Sequence, residues 1–208
     1  MAPDYWQVAT QDLSRADPVM AALVEKYAGL SLVSRGDPFS TLARSIVGQQ
    51  ISVKAADAVW GRFVAAVGAV GAVEPGSVIR LGEQGLTGCG LSQRKIEYVC
   101  DLARHFSTGQ LNAAEWGSLD DETLIQELCA VRGIGLWTAE MFLIFNQMRP
   151  DIFPVDDLGV QRAVREHYFA GEKQSPRQLA EFARRWQPWR TVATWYLWRS
   201  LDPVPVEY

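Results

Sequence analysis

Two glycines that flank one apolar residue are the first feature of the sequence with a chemical use. One helical pattern ends at Gly133-Ile134-Gly135, and the next begins at once with Trp137-Thr138. Glycine lets the backbone turn tightly and approach a ligand closely. The N–H groups of Gly133, Gly135 and the following helical turn can therefore converge on a phosphate oxygen. The same pair could equally serve only to join two helices, so this pattern alone leaves both uses open.

Two adjacent carboxylates follow the glycine pair. Asp156 and Asp157 come after Phe153-Pro154-Val155 and precede an apolar helical pattern that begins at Leu158. A carboxylate at this position can cap the helix, because it accepts hydrogen bonds from the first turn and lies at the positive end of the helix dipole. We expect Asp156 to be the cap, whereas the role of Asp157 depends on the wider pattern.

Tryptophan and arginine are concentrated near the end of the chain. Four of the eight tryptophans lie there: Trp186, Trp189, Trp195 and Trp198. The stretch from Arg184 to Arg199 contains four arginines and no acidic residue. The net charge of −4 and the pI of about 5.3 argue, on bulk charge alone, against a nucleic-acid-binding protein. Charge is nevertheless unevenly distributed.

The tryptophans have different expected roles. Trp60 and Trp186 are expected in the core, and Trp189 and Trp195 stay unassigned.

Helices must position these residues, because apolar spacing of three and four residues dominates and strand alternation is absent. The helix starts are marked by capping residues, which are Asp37, Ser52, Ser92, the group Ser118-Leu119-Asp120-Asp121, and Ser175. Another helix is expected around residues 19–27, and residues 68–76 are expected to form a loop. The predicted fold class is all-α, with many short helices.

Composition excludes several classes of protein. Of the 208 residues, 48% are hydrophobic and 21% are charged, which rules out a disordered or collagen-like chain. No apolar run approaches the roughly 20 residues of a membrane span, and the start of the sequence does not resemble a secretory signal. Three cysteines fit reduced thiols in the cytoplasm and cannot supply a four-thiolate cluster. His105 and His167 have no partners at metal-ligand spacing, so no metal site is expected.

The glycine hairpin and the aspartate after it resemble the helix-hairpin-helix superfamily of DNA glycosylases. Residues 42–53, 90–95 and 186–190, together with Trp198, look like its DNA-3-methyladenine glycosylase II (AlkA-like) branch. The resemblance covers residues 37–200 and implies a compact multi-helix fold of two helical lobes, with the active-site cleft between them. The extra N-terminal β domain of longer members is not expected.

A single domain over residues 1–208 is therefore predicted. One lobe covers residues 37–149 and contains the hairpin at residues 128–146. The second lobe combines residues 1–36 with residues 150–208. The resemblance also implies a monomer that acts in the cytoplasm, close to the nucleoid in a bacterium, and that binds double-stranded DNA containing damaged bases and no membrane.

The resemblance assigns the catalytic role to Asp157. Hydrolysis of an N-glycosidic bond builds positive charge on the sugar, which a fixed carboxylate stabilises while it orients the attacking water. Members that also cleave the strand carry a lysine where this chain has Trp137. Tryptophan cannot be that nucleophile, so a monofunctional glycosylase without AP-lyase activity is expected.

The resemblance also assigns base and DNA contacts. Trp137 and Trp198 are carried over as walls of the base pocket, where aromatic faces stack on a flipped, positively charged base. Familiar members place an aromatic residue at the position of Met141, so this residue puts the selectivity of the pocket in question. Gln50, with Gln49 beside it, is the candidate that fills the gap left by the flipped base. These two amides could instead satisfy only the turn between two helices.

Alkylated purines such as 3-methyladenine are the expected substrates, released in base excision repair. Gly133, Gly135 and Thr138 are the expected contacts to the DNA backbone. No cofactor is expected, apart from a monovalent cation that could bridge the hairpin carbonyls to phosphate. Three other functions remain open. The first is excision of a neutral base such as uracil or hypoxanthine, and the second is a non-catalytic helix-hairpin-helix module that only binds DNA. The third is a helical scaffold whose tryptophan cluster binds protein, and Asp157 together with Trp137 favours the enzyme over the second and third.

Overall fold

The computed structural model describes residues 2–68 and 73–201, and every regular element in these ranges is helical. The α-helices are α1 (Trp6–Ala16), α2 (Pro18–Lys26), α3 (Pro38–Gly48), α4 (Val53–Ala66), α5 (Pro75–Leu86), α6 (Gln93–Ser107), α7 (Asp121–Cys129), α8 (Leu136–Phe145), α9 (Leu158–Tyr168), α10 (Pro176–Ala183) and α11 (Arg190–Leu201). Short 3-10 turns cover Trp116–Ser118 and Arg184–Trp186. The all-α prediction is confirmed. Within the described ranges, no helix combines the length and apolar character that crossing a bilayer requires.

Local capping starts several helices where the sequence predicts. The Asp37 carboxylate accepts the N–H of Ser40 at 2.7 Å and begins α3. Ser52 and Ser92 cap α4 and α6 in the same way. Ser175 begins α10 with a complete capping box, in which the side chain of Gln178 also bonds back to the cap backbone. These contacts satisfy first-turn N–H groups that have no partner inside a helix.

Helix α5 was not predicted, and the expected loop over residues 68–76 is wrong from Pro75 onward. Residues 69–72 of that loop lie outside the described residues. Three glycines lower the helix propensity of α5, and Gly82 interrupts it with φ 65° and ψ 179°. Val78 and Leu86 are fully buried, and α5 packs along α6. Tertiary burial therefore outweighs the weak local preference. Helix α1 was also not predicted, whereas α2 lies where residues 19–27 indicate.

The described residues form two compact units. The hairpin unit runs from Arg35 to Phe142, and the terminal unit combines the described residues up to Ser34 with those from Leu143 onward. The second boundary falls inside α8. The hairpin unit has an aromatic core of edge-to-face contacts that links Phe39, Phe106, Trp116 and Phe142 in that order.

The terminal unit has a tryptophan-rich core. Trp6 of α1 packs edge-to-face on Trp195 at 5.2 Å between ring centroids. Trp186 is 1% exposed, as predicted for a core residue. Its indole N–H donates to the buried Asp17 carboxylate at 3.1 Å. In the hairpin unit, by contrast, Trp60 is only half-buried.

Candidate active site

Asp157 is the N-cap of α9. Its backbone is extended, with φ −72° and ψ 119°, and its Oδ1 accepts the N–H of Val160 at 2.8 Å. The expectation that Asp156 would be the cap is wrong, because α9 begins one residue later and leaves Asp156 exposed. The first turn of α9 thus holds the Asp157 carboxylate at the positive end of the helix dipole.

A second donor reaches the same carboxylate oxygen. The indole Nε1–H of Trp198, in α11, donates to Asp157 Oδ1 at 2.8 Å. The Trp198 ring stacks on Phe145, with 5.7 Å between centroids and 14° between planes. The terminal unit therefore brings together Asp157 and Trp198, and two N–H donors from different helices fix the orientation of one carboxylate.

Gly159 and Phe145 belong to this site and were missed by the sequence reasoning. A Cβ at Gly159 would lie 3.1 Å from Asp157 Oδ1 and 3.3 Å from Trp198 Cδ1, which is tighter than ordinary contact. Glycine in the first turn of α9 thus leaves room for the indole edge beside the carboxylate. The available signal was a glycine two residues after the aspartate, where a helix gains nothing from it.

The glycine hairpin connects α7 to α8. Gly133 has φ +88°, a left-handed conformation that favours glycine, and a Cβ there would collide with the ring of Tyr98. Ile134 is buried between the two glycines. The Gly135 carbonyl accepts the N–H of Ala139 at 3.0 Å, which is the first hydrogen bond of α8. The N–H groups of the first turn therefore have no acceptor inside the helix, as at any helix N-terminus, and such a turn suits an anionic oxygen.

Asp101 of α6 anchors the start of the hairpin. Its Oδ2 accepts the backbone N–H of Arg132 at 3.0 Å, and its Oδ1 accepts from Arg104 Nη2 at 2.9 Å. Burial by itself raises the pKa of the Asp101 carboxyl, but these hydrogen bonds and the charges of His105 and Arg132 outweigh it, and the pKa is lowered. Because this contact spans 31 residues of sequence, no local pattern indicates it.

The two glutamines after α3 have different environments. Gln49 Nε2 donates to the Gly133 carbonyl at 2.8 Å, so the structure joins two predicted DNA-binding residues directly. Gln50 is exposed and has φ +58°, an uncommon value for a residue other than glycine. Lys95 Nζ donates to the carbonyls of Val47 and Gln49, at 2.8 Å and 2.7 Å. Burial lowers the pKa of the Lys95 ammonium.

The other predicted site residues lie on α8 in the hairpin unit. The side chain of Trp137 is 40% exposed in the first turn. Thr138 and Met141 are buried, with exposures of 8% and 9%. Met141 therefore fills interior space, and Trp137 offers aromatic surface to solvent.

Metal-binding groups are not assembled in the part of the chain that the structure describes. No cluster of three or more His, Cys, Asp or Glu side chains there could hold a metal ion. The cysteines are free thiols, with Cys89 and Cys100 buried and Cys129 exposed.

Comparison with known proteins gives consistent matches. Residues 43–188 match the family model described as HhH-GPD superfamily base excision DNA repair protein. The chain is 31% identical over 188 residues to YfjP of Bacillus subtilis, covering 88% of this chain and 66% of that protein. It therefore spans just under two thirds of the length of this relative.

Two solved structures have the same fold. The DNA-3-methyladenine glycosidase of Bacillus halodurans superposes with a TM-score of 0.79 and 34% identity, over 89% of this chain and 90% of that one. The 3-methyladenine DNA glycosylase Mag1 of Schizosaccharomyces pombe, solved in complex with abasic DNA, has a TM-score of 0.76 and 28% identity. That match covers 96% of this chain and 98% of Mag1.

Proposed function

The chain belongs to the HhH-GPD superfamily of base excision DNA repair proteins, and from this premise we propose that it is a DNA glycosylase that removes alkylated purines, such as 3-methyladenine, from double-stranded DNA. The observation that carries the proposal is the Asp157 carboxylate, held by Val160 N–H and the Trp198 indole. Similarity to the two 3-methyladenine glycosylase structures supports the substrate class.

Asp157 supplies the electrostatic part of the reaction. When the C1′–N bond breaks, its electron pair leaves with the base, and a cationic alkylated base departs as a neutral molecule. Positive charge develops on the sugar, where a carboxylate of fixed orientation stabilises it without reorganisation cost. Water then forms the new C1′–O bond and loses a proton, leaving an abasic site. The two N–H donors on Oδ1 keep the carboxylate oriented before DNA binds.

Aromatic stacking provides the selectivity for cationic lesions. Trp137 and Trp198 are the side chains that we propose to stack on the flipped base, since an indole face attracts a positively charged ring. Met141 is apolar and buried, so it offers the proposed pocket no hydrogen-bond donor that would select a neutral base. Alkylated bases should therefore be released faster than uracil or hypoxanthine.

We further propose that the enzyme has no AP-lyase activity. The position from which a lysine would attack the sugar carries Trp137, whose indole cannot form a Schiff base. Treatment with borohydride during the reaction should trap no covalent adduct between protein and DNA, and a trapped adduct would contradict this part of the proposal.

DNA contacts are proposed for the hairpin and for Gln50. Backbone N–H groups of Gly133, Gly135 and the turn at Thr138 would bind phosphate oxygens, and the exposed Gln50 would fill the gap left by the flipped base, with Gln49 beside it. We propose that the protein acts as a monomer in the cytoplasm, close to the nucleoid in a bacterium. DNA affinity should fall steeply with salt, because phosphate contacts release counterions whatever the net charge of the protein.

We also propose that a monovalent cation can bind at the hairpin. The carbonyls of Gly133 and Gly135 accept hydrogen bonds from Gln49 and Ala139, and a carbonyl oxygen has a second lone pair. Neutral carbonyl oxygens of this kind can replace the hydration shell of a monovalent ion. Such an ion would supply positive charge facing a phosphate. Replacing potassium by a large organic cation at constant ionic strength would then weaken DNA binding.

Base release from alkylated DNA tests the function. Methylated duplex DNA is incubated with the protein, and the free bases are identified by mass. Asp157→Asn should slow release by about 100-fold or more, and because Asn caps helices as well as Asp does, the fold should persist. Asp156→Asn is the matched control, since it removes the same charge one residue away. Release of 3-methyladenine at equal rates by both variants would refute the proposed role of Asp157.

A further inference from the structure

The loop that carries Gln50 is held in an uncommon backbone conformation. This loop, residues 49–52 and called the wedge loop below, connects α3 to α4. Gln50 has φ +58°, in the left-handed region that residues with a Cβ rarely occupy. Its side chain is exposed. A conformation of this kind persists only where the surroundings hold it, so the groups that contact the neighbouring backbone determine how Gln50 is presented.

Lys95 contacts the backbone immediately before Gln50. Its Nζ donates to the Gln49 carbonyl at 2.7 Å and to the Val47 carbonyl at 2.8 Å. The Gln49 carbonyl belongs to the planar peptide group that ends at the nitrogen of Gln50. Holding this oxygen therefore restrains the peptide plane from which φ of Gln50 is measured. Lys95 lies in the first turn of α6, 46 residues from Gln49, so this contact depends on the tertiary fold.

The wedge loop is also joined to the hairpin. The side chain of Gln49 donates to the Gly133 carbonyl at 2.8 Å, and the same residue accepts from Lys95 through its backbone carbonyl. Lys95, Gln49 and Gly133 thus form one chain of hydrogen bonds inside the hairpin unit. Partial burial lowers the pKa of the Lys95 ammonium, whose Nζ has the carbonyls of Val47 and Gln49 as its partners.

We propose that Lys95 is a positioning residue for base flipping, which presents Gln50 for insertion and holds the wedge loop in register with the phosphate-binding hairpin. The proposal rests on the proposed function, in which Gln50 fills the gap in the duplex. A preformed loop avoids the cost of ordering when DNA binds. Loss of Lys95 should therefore impair the flipping of a paired base more than the capture of a base that is already unpaired.

Excision of one lesion in two contexts measures this effect. Single-turnover rates are compared for an alkylated base in a duplex and for the same base in a single strand. Lys95→Met should lower the ratio of the duplex rate to the single-strand rate roughly tenfold, because the strained loop relaxes. Lys95→Arg, whose guanidinium can also donate to two carbonyls, should recover most of the ratio. Lys54→Met is the matched control, since Lys54 is an exposed lysine at the start of α4; loss of its charge should lower both rates by the same factor.

A double substitution separates positioning from a structural role. In a Gln50→Ala background, Lys95→Met should change the ratio no further, because no wedge remains to be positioned. Equal losses on both substrates, or a loss confined to the melting temperature, would overturn the proposal and leave Lys95 as a cap of α3. If Lys95→Met does not fold, Lys95→Gln, which is neutral and shorter, replaces it with the same expected ratio.

Insertion can also be followed without catalysis. A 2-aminopurine beside an abasic site becomes fluorescent when it is unstacked, and binding of the unmodified protein should raise this signal. Lys95→Met should reduce the rise at saturating protein, whereas Lys54→Met should not. If no base is released, but the unmodified protein raises the fluorescence and Lys95→Met reduces that rise, the proposed enzyme is rejected and the positioning role stands. Normal base release with no effect of Lys95→Met on either readout would reject the positioning role alone.

Discussion

Replacing Gly159 by alanine would perturb the candidate catalytic carboxylate without weakening the helix that carries it. The added Cβ would lie 3.1 Å from Asp157 Oδ1, 3.3 Å from Trp198 Cδ1 and 3.4 Å from Trp198 Nε1. These separations require the indole or the carboxylate to shift by a few tenths of an ångström. The Nε1 to Oδ1 hydrogen bond is 2.8 Å long, so this shift acts directly on it.

Gly159→Ala should slow excision clearly and change the stability of the protein little. A hydrogen bond to a charged group contributes about 1.5–3 kcal/mol, and misplacing a reacting group by about 1 Å can cost about 100-fold in rate. A shift of a few tenths of an ångström should therefore slow excision roughly tenfold, or about 1.4 kcal/mol in activation free energy. Alanine is favoured over glycine inside a helix by about 1 kcal/mol. That gain offsets the strain, so the melting temperature should stay within about 2 °C of the original.

Single-turnover excision and thermal unfolding measure the two effects separately. Gly61→Ala is the matched control, because Gly61 lies in α4 and a Cβ there would meet nothing within 4 Å. This control should raise the melting temperature by about 2–4 °C and leave the excision rate unchanged. In a Trp198→Phe background, which lacks the indole donor, Gly159→Ala should slow excision less than it does in the unmodified protein, because only the contact with Asp157 Oδ1 can still disturb the site.

Two results would refute this reasoning. An excision rate of Gly159→Ala equal to that of the unmodified protein, with the fold intact, would show that the position of the indole does not influence the reaction. A melting temperature that falls in step with the rate would show that the substitution only destabilises the terminal unit. Only a slow enzyme with an unchanged melting temperature supports the geometry described here.

Three further predictions concern the hairpin unit and α10. Because the pKa of Asp101 is lowered in the folded state, its stabilising contribution is present above the unfolded pKa of about 3.9 and is lost as the pH falls through the lower folded value. In urea unfolding at acid pH, the free energy of unfolding should thus fall more steeply with decreasing pH for the unmodified protein than for Asp101→Asn. Equal slopes for the two proteins would contradict the proposed role of Asp101 in anchoring the hairpin. Gly133→Ala should lower the free energy of unfolding by about 2 kcal/mol, and a Tyr98→Ala background, which removes the colliding ring, should reduce that loss in chemical denaturation. Ser175→Ala should lower the free energy of unfolding by about 1 kcal/mol and leave the excision rate unchanged. A change in the excision rate would show that α10 influences the site.

Features set by a few neighbouring residues could be predicted from the sequence. Four helices begin at caps whose contacts lie three residues away, so the local pattern indicates the outcome directly; the caps are Asp37, Ser52, Ser92 and Ser175. The all-α class follows from the same local signals. The boundary at Asp157 was misjudged by one residue, because two adjacent aspartates are equally good caps and only the fold decides between them.

Contacts that span long stretches of sequence could not be predicted in this way. Trp198 reaches Asp157 across 41 residues, and Lys95 reaches Gln49 across 46. The periodicity of α11 shows that Trp198 is helical but does not show that its N–H meets a carboxylate. Helix α5 was missed for a related reason, since its glycines disfavour a helix that packing on α6 nonetheless stabilises.

Helix α6 links the wedge loop and the hairpin through contacts from one of its faces. Lys95, Tyr98 and Asp101 follow one another at intervals of three residues on one face of this helix, and they contact the wedge loop, Gly133 and the N–H of Arg132. A rotation or a one-residue slip of α6 would break all three contacts at once. Opening of the wedge loop and opening of the hairpin should therefore be coupled. Native-state hydrogen exchange should show the amides of the wedge loop and of the hairpin opening together as one cooperative unit.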